Sequence, residues 1–179
     1  MRHGRRVFRS VVLLMAMAYL TVPAPASAES PVPVVIADFD YKDTSGEVRD
    51  QSAEHAARMR TFVRILREQL SAGEEYAAAP LQCGAARCSA GSMAPADLIR
   101  AAEQAGGRIL VYGGVHKMST LVQWGKVYVL DLRTEKLLLD RLFSFRGDND
   151  RAFRRAAGFL VPKLEEVLKP VASAPRPDK

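Results

Sequence analysis

The sequence predicts an α/β (α+β) fold: a three-layer mixed β-sheet of about five strands flanked by three helices, in the order β-α-β-α-β-β-β-α. Three observations carry that prediction. Short β-branched runs alternate with segments whose apolar residues recur every three to four positions. A long strand-rich stretch with one turn signal lies in the second half. Apolar content of 48% with 26% charged residues is that of a globular chain and too hydrophobic for a disordered one.

Each element follows in order. Residues 33–39 form a brief apolar run bounded by turn residues, a buried strand. Residues 41–51 are polar and read as a loop. Ser52 is placed as a helix N-cap, with Glu54 in the first turn where the helix dipole favours negative charge. Met59, Phe62, Val63, Leu66 and Leu70 then mark one face of a helix over residues 53–72, stopped by Gly73. A short strand over 75–81 precedes a loop holding both cysteines. Pro95 opens a second helix, which Gly106-Gly107 closes at about residue 105. A strand over 108–115 follows, then a hairpin of 121–132 and 136–145 around Arg133-Thr134-Glu135. Asp148 or Asn149 caps a last helix with Phe153, Ala157, Leu160, Leu164 and Leu168 on one face. Pro162 inside it predicts a kink or two shorter helices. The first two crossovers are expected to be right-handed where their strands are parallel.

The N-terminus reads as an export signal. Arg2, Arg5, Arg6 and Arg9 precede a short apolar run over 11–22, and Ala26-Ser27-Ala28 is a small-x-small cleavage site. Arg5-Arg6-Val7-Phe8 partly matches a twin-arginine signal, so the general and twin-arginine routes both stay open. The apolar run is shorter than the roughly 20 residues of a membrane span. The domain plan is therefore a signal peptide, 1–28, one α/β domain, 29–170, and a disordered tail, 171–179. Localisation is expected in the periplasm, with no stable membrane insertion after cleavage. The leader takes away four of 26 basic residues and none of 20 acidic ones, so the charge falls from +6 to +2. That balance lacks the concentrated basic footprint of nucleic-acid binding. Export also predicts a structural disulfide between Cys83 and Cys88, the only two cysteines.

Several patterns bear on chemistry. Asp38-Phe-Asp40 ends an apolar strand, as the nucleophile motif of haloacid-dehalogenase-type phosphatases does. Lys42 stands where that motif wants Thr or a small β-branched residue, and the rest of the constellation is not evident. The acidic residues here also miss calcium-loop spacing. The alternative is that these aspartates bind loop amides where the strand ends. His55 and His116, each isolated in the sequence, read as structural. A metal-dependent hydrolase using Asp38 and Asp40 is the rival function; no catalytic residue, metal or cofactor is assigned.

Four segments together are familiar: 37–47 (ADFDYKDTSGE), 113–121 (GGVHKMSTL), 127–132 (VYVLDL) and 146–155 (RGDNDRAFRR). Their order and spacing resemble a family of small exported proteobacterial proteins with a domain of unknown function, related to the TolB N-terminal-like α/β domain. The chain departs from that pattern at Glu135, where Gly is common, at Phe153, where Trp is frequent, and at Pro162. The resemblance implies a binding or accessory role in the cell envelope and transfers no catalytic residue. The expected function is thus a non-enzymatic module whose partner is an envelope protein or a small ligand. Its candidate binding residues are Asp43, Thr44, Ser45, His116, Lys117, Ser119, Arg146 and Asp150. Each lies just beyond an expected strand, where ligand crevices of open sheets form. The arginine-rich helices, Arg58 to Arg67 and Arg151 to Arg155, offer a further interaction surface.

Overall fold

The computed structural model describes residues 30–84 and 87–174. The proposed leader and the last five residues of the expected tail lie outside that set. Six strands and three helices form three layers. The strands are β1 (Val32–Ile36), β2 (Asp40–Asp43), β3 (Tyr76–Pro80), β4 (Ile109–Lys117), β5 (Val122–Asp131) and β6 (Lys136–Arg146). The helices are α1 (Ser52–Leu70), α2 (Pro95–Gln104) and α3 (Asp150–Ala172).

The sheet order is β3-β1-β4-β5-β6, with β2 also paired to β4. β1 is parallel to β3 and β4, β2 is parallel to β4, and the β4-β5-β6 meander is antiparallel. α1 and α3 cover one face, over a core that includes Ile36, Phe62, Val111, Val127, Phe153 and Leu164. α2 and the cysteine loop cover part of the other, around Val35, Leu81, Cys88, Leu98 and Leu110. The chain moves outward from β1 to β3 and then back to β4. Crossovers of one hand therefore put α1 and α2 on opposite faces, as found.

The α/β class, the helices and five of the strands match the sequence reading; four details differ. β2 lies in a segment read as loop, because DYKD carries no apolar alternation. It forms by continuing β1 along the same edge of β4, after a break at residues 37–39. Ser52 is the first helical residue, not the cap; the Asp50 carboxylate accepts its amide at 2.9 Å. α3 is one helix across Pro162, which faces solvent, where water can satisfy the freed Gly158 carbonyl. It also continues to Ala172, two residues into the expected tail, because Val171 is buried in the core. Asn149 caps α3 as expected, its side chain accepting the Ala152 amide. Glu135 holds φ +54° in the β5–β6 turn, the left-handed conformation for which glycine is better suited.

The close packing of sheet and core is exacting at Gly113, where the nearest atom is backbone. A Cβ there would lie 2.1 Å from the Lys126 carbonyl oxygen and 2.8 Å from the Phe39 ring. Gly113→Ala should therefore destabilise the chain by about 1–3 kcal/mol in urea unfolding. Gly73→Ala, where a Cβ meets nothing within 4 Å, should cost nothing.

Candidate functional site

The parallel strands end, at their carboxyl side, in an unusual buried charge cluster. Alternation along β4 puts Lys117 on the same face as Val111 and Val115, toward the core. Asp43 and Gln123 flank it in register on β2 and β5. The Lys117 side chain is 0% exposed. Its ammonium lies 2.7 Å from Asp148 and 3.4 Å from Asp43, and it donates to Glu47 and to the Gln51 side-chain oxygen, Oε1. A lone buried ammonium would be expelled or neutralised, so these carboxylates are what keep it charged in place.

Asp148 is the hub on the acidic side. It accepts from His55 Nε2 at 2.9 Å, Arg58 at 2.7 Å and Gln123 at 3.3 Å, besides Lys117. The His55 ring stacks on Tyr41 with centroids 4.3 Å apart, and Arg58 reaches on to Asp150 at 3.2 Å. Burial alone would raise the Asp148 carboxyl, but hydrogen bonds from Lys117 and His55 hold it below its ordinary value. Burial likewise opposes the Lys117 charge, yet its bonds to Asp148 and Glu47 raise its pKa. Desolvation would raise the Asp43 carboxyl too, but hydrogen bonds from Ser45 and the Lys117 charge hold it low. Burial pushes the Tyr41 phenol up, keeping it protonated.

Beside this cluster opens a cleft of about 990 Å³. The 44–52 loop, the first half of α1, the 38–41 segment and Arg87 form its walls. Phe39, Met59 and Val63 give it apolar surface, while Glu47, Arg49, Asp50, Arg60 and Arg87 supply charge. Glu47 is shared between the cleft lining and the buried cluster, so the cluster fixes the loop that forms one wall.

The aspartates that suggested a nucleophile are otherwise engaged. Asp38 exchanges bonds with Cys88: its amide donates to the Cys88 carbonyl at 2.8 Å, and its carboxylate accepts the Cys88 amide at 3.2 Å. Asp40 accepts from Ser89 Oγ at 2.6 Å and from the Gly91 amide at 2.8 Å. The Cys83–Cys88 disulfide is present and closes that loop. Both carboxylates thus tie the strand break to the cysteine loop. Among the described residues no group of three His, Cys, Asp or Glu side chains could hold a metal ion.

Of the eight expected binding residues, the structure brings some together and leaves others apart. Asp43 and Lys117 belong to the buried cluster, and Asp150 joins it through Arg58. His116 points to the opposite face of β4, where its Nε2 lies 2.7 Å from Thr44 Oγ1. Ser45 shapes the turn after β2, its amide donating to Asp43. Ser119 accepts the Leu121 and Val122 amides. Arg146 ends β6 opposite Val122. The division follows from strand alternation, since neighbours on a strand must face apart. Sequence reasoning missed Glu47, Gln51, Arg58, Gln123 and Asp148 as cluster members and read His55 as merely structural. The signal was available: Lys117 and Gln123 keep the period-two phase of buried strand positions, and His55 keeps the helical phase of Met59, Phe62 and Leu66.

The two kinds of shift act at opposite ends of the pH scale. A depressed carboxylate stabilises the fold above the ordinary carboxylate range, near about pH 4, and loses that contribution as pH falls through its folded pKa. The raised Lys117 contributes fully below its usual 10.5 and loses that contribution only as pH rises through its folded value. Urea unfolding should thus show stability dropping below about pH 4. Lys117→Met should cost about 3–5 kcal/mol at neutral pH, because three carboxylates lose their buried partner. It should also flatten the acid limb, since Asp148 is then less depressed.

Comparison with known proteins gives a family and no established activity. No curated protein matches the sequence. Among solved structures, TolB from Acinetobacter baumannii is 13% identical with a TM-score of 0.49, over 80% of this chain and 30% of TolB. This chain therefore corresponds to less than a third of TolB's length. The PelC dodecamer from Paraburkholderia phytofirmans is 15% identical (TM-score 0.47; 84% of this chain, 94% of PelC). A DUF330 protein from Xanthomonas campestris is 10% identical (TM-score 0.48; 84% of this chain, 94% of that one). A family model spans residues 32–164, from the first strand through most of α3, and the chain belongs to that family, DUF3280, described as a protein of unknown function (DUF2380).

Proposed function

We propose that this protein is an exported, non-enzymatic binding or accessory module of the cell envelope, and that the cleft beside the buried cluster is its binding surface. One observation carries the reading: the cleft is open while Lys117, Asp148, Asp38 and Asp40, the groups beside it best placed for chemistry, are engaged in holding the fold. Lys117 is held protonated and Asp148 ionised, so neither is poised to exchange a proton near neutral pH. Asp38 and Asp40 spend their carboxylates on the Cys88 and Gly91 amides and the Ser89 hydroxyl. The mixed-charge, partly apolar lining suits recognition of a polar ligand or a peptide segment. Export is supported by the leader pattern in residues 1–28 and by a disulfide that would not persist in a reducing cytosol. Among the described residues no helix is long and apolar enough to cross a membrane.

Three measurements test this. Fractionation with thiol trapping should find the mature chain in the periplasm, alkylated only after reduction; a cytosolic chain with free thiols defeats the export reading. A photo-crosslinker at Val48, a fully exposed residue of the cleft loop, should form a discrete adduct in intact cells. The same label at Phe159, on the exposed side of α3, should not. Phosphomonoester turnover lost in Asp40→Asn would overturn the non-enzymatic assignment. Replacing both cysteines by serine should lower stability by about 2 kcal/mol in urea.

A further inference from the structure

The two edges of the sheet are treated differently. β3, at one edge, has five residues and ends in Pro80, which has no amide to offer. The Ser71 hydroxyl occupies its rim as well, accepting from the Ala78 amide at 3.0 Å and lying 3.4 Å from the Ala78 carbonyl. That edge is blocked against further pairing. β6, at the other edge, runs for 11 residues without proline or glycine. Among the described residues nothing bonds to the backbone groups along its outer rim. Its one irregularity is the bulge where Leu138 is the extra residue opposite Val129/Leu130. From Leu139 to Arg146 the strand is regular. Leu142 is 59% exposed there, and Asp140 and Arg146 are exposed too.

We propose that β6 pairs antiparallel with β6 of a second copy of this chain, about a two-fold axis through Phe143, making one continuous sheet. An isologous edge contact sets residues of like parity opposite one another, because opposed side chains in an antiparallel pair share a face. Charge selects among the registers this allows. Centring on Arg141 opposes Arg141 to itself and Lys136 to Arg146. Centring on Asp140 opposes that carboxylate to itself. Centring on Phe143 sets Asp140 of each copy opposite Arg146 of the other, Leu142 opposite Ser144, and Arg141 opposite the Phe145 ring. Two opposite-charge pairs form and no like charges meet. Arg146 has no carboxylate partner within its own chain among the described residues. Asp140 bonds Lys126 at 2.9 Å and has lone pairs left for a second cation. The paired segment, 140–146, lies wholly on the regular side of the bulge.

Sedimentation equilibrium of the oxidised mature chain tests this. The wild type should form a dimer. Asp140→Arg and Arg146→Asp should each raise the dissociation constant by about tenfold or more, since each change acts at two symmetry-related pairs. The double swap, Asp140→Arg with Arg146→Asp, should restore dimerisation. Amide deuterium exchange over residues 140–146 should slow as wild-type concentration rises, a readout that needs no variant to fold. A wild type that stays monomeric up to about 1 mM overturns the proposal. So does a dimer indifferent to both single changes, a folded swap that fails to dimerise, or concentration-dependent protection elsewhere than β6.

Discussion

The fold is organised around one buried positive charge. Moving an ammonium out of water costs several kcal/mol unless carboxylates and hydrogen bonds surround it. Lys117 meets that condition with groups from separate parts of the chain: Asp43 from β2, Glu47 and Gln51 from the loop before α1, and Asp148 from the entry to α3. Satisfying one side chain therefore fixes where β2 ends, how the loop folds back, and where α3 begins. Asp148 needs its own partners in turn, and His55, Arg58 and Gln123 connect α1 and β5 to the same point. Such a cluster is weak evidence for stability against an apolar replacement. Its geometry is demanding, since displacing Lys117 or Asp148 would strand the other's charge in the core.

A second polar junction does comparable work on the other face. The β1–β2 edge is interrupted at Asp38, and the carboxylates of Asp38 and Asp40 hold the cysteine loop against the break. Gly91 sits so close that a Cβ there would come within 2.8 Å of the Asp40 oxygen. The bridge between Cys83 and Cys88 limits how far that loop can stray, and Arg87 within it lines the cleft. One wall of the cleft is thus set by the disulfide loop and another by the Lys117 cluster.

What the sequence disclosed follows the physics of each element. Helices and long strands announce themselves through apolar periodicity, so α1, α2, α3 and β4 to β6 were legible. β2 was not, because Asp-Tyr-Lys-Asp has no apolar stripe and pairs only by virtue of the strand it extends. Pro162 suggested a broken helix because sequence does not say which side of α3 faces water. The candidate site was half legible: Asp43 and Lys117 were named, but grouped with His116, which one-residue alternation sends to the opposite face. The cluster's own signature was polar residues in core phase. Lys117, Gln123 and His55 each break the binary pattern of an element that otherwise keeps it, and their partners had to converge from distant segments.

The positions of the cleft and of the β6 edge are compatible. The cleft lies at the β1–β2 side of β4, and β6 lies beyond β5, so three strand spacings of about 4.8 Å separate them. Extending the sheet past β6 adds strands away from the cleft. A paired sheet would carry a cleft beyond each side of its junction, each with its own buried lysine and disulfide loop. The features that hold each cleft in shape all lie within one chain, so a single copy already has a complete cleft. Pairing would change how many such surfaces are displayed and how far apart they stand. An extended partner segment could then engage two copies at once, and affinity would depend on matching that spacing as much as on either cleft alone.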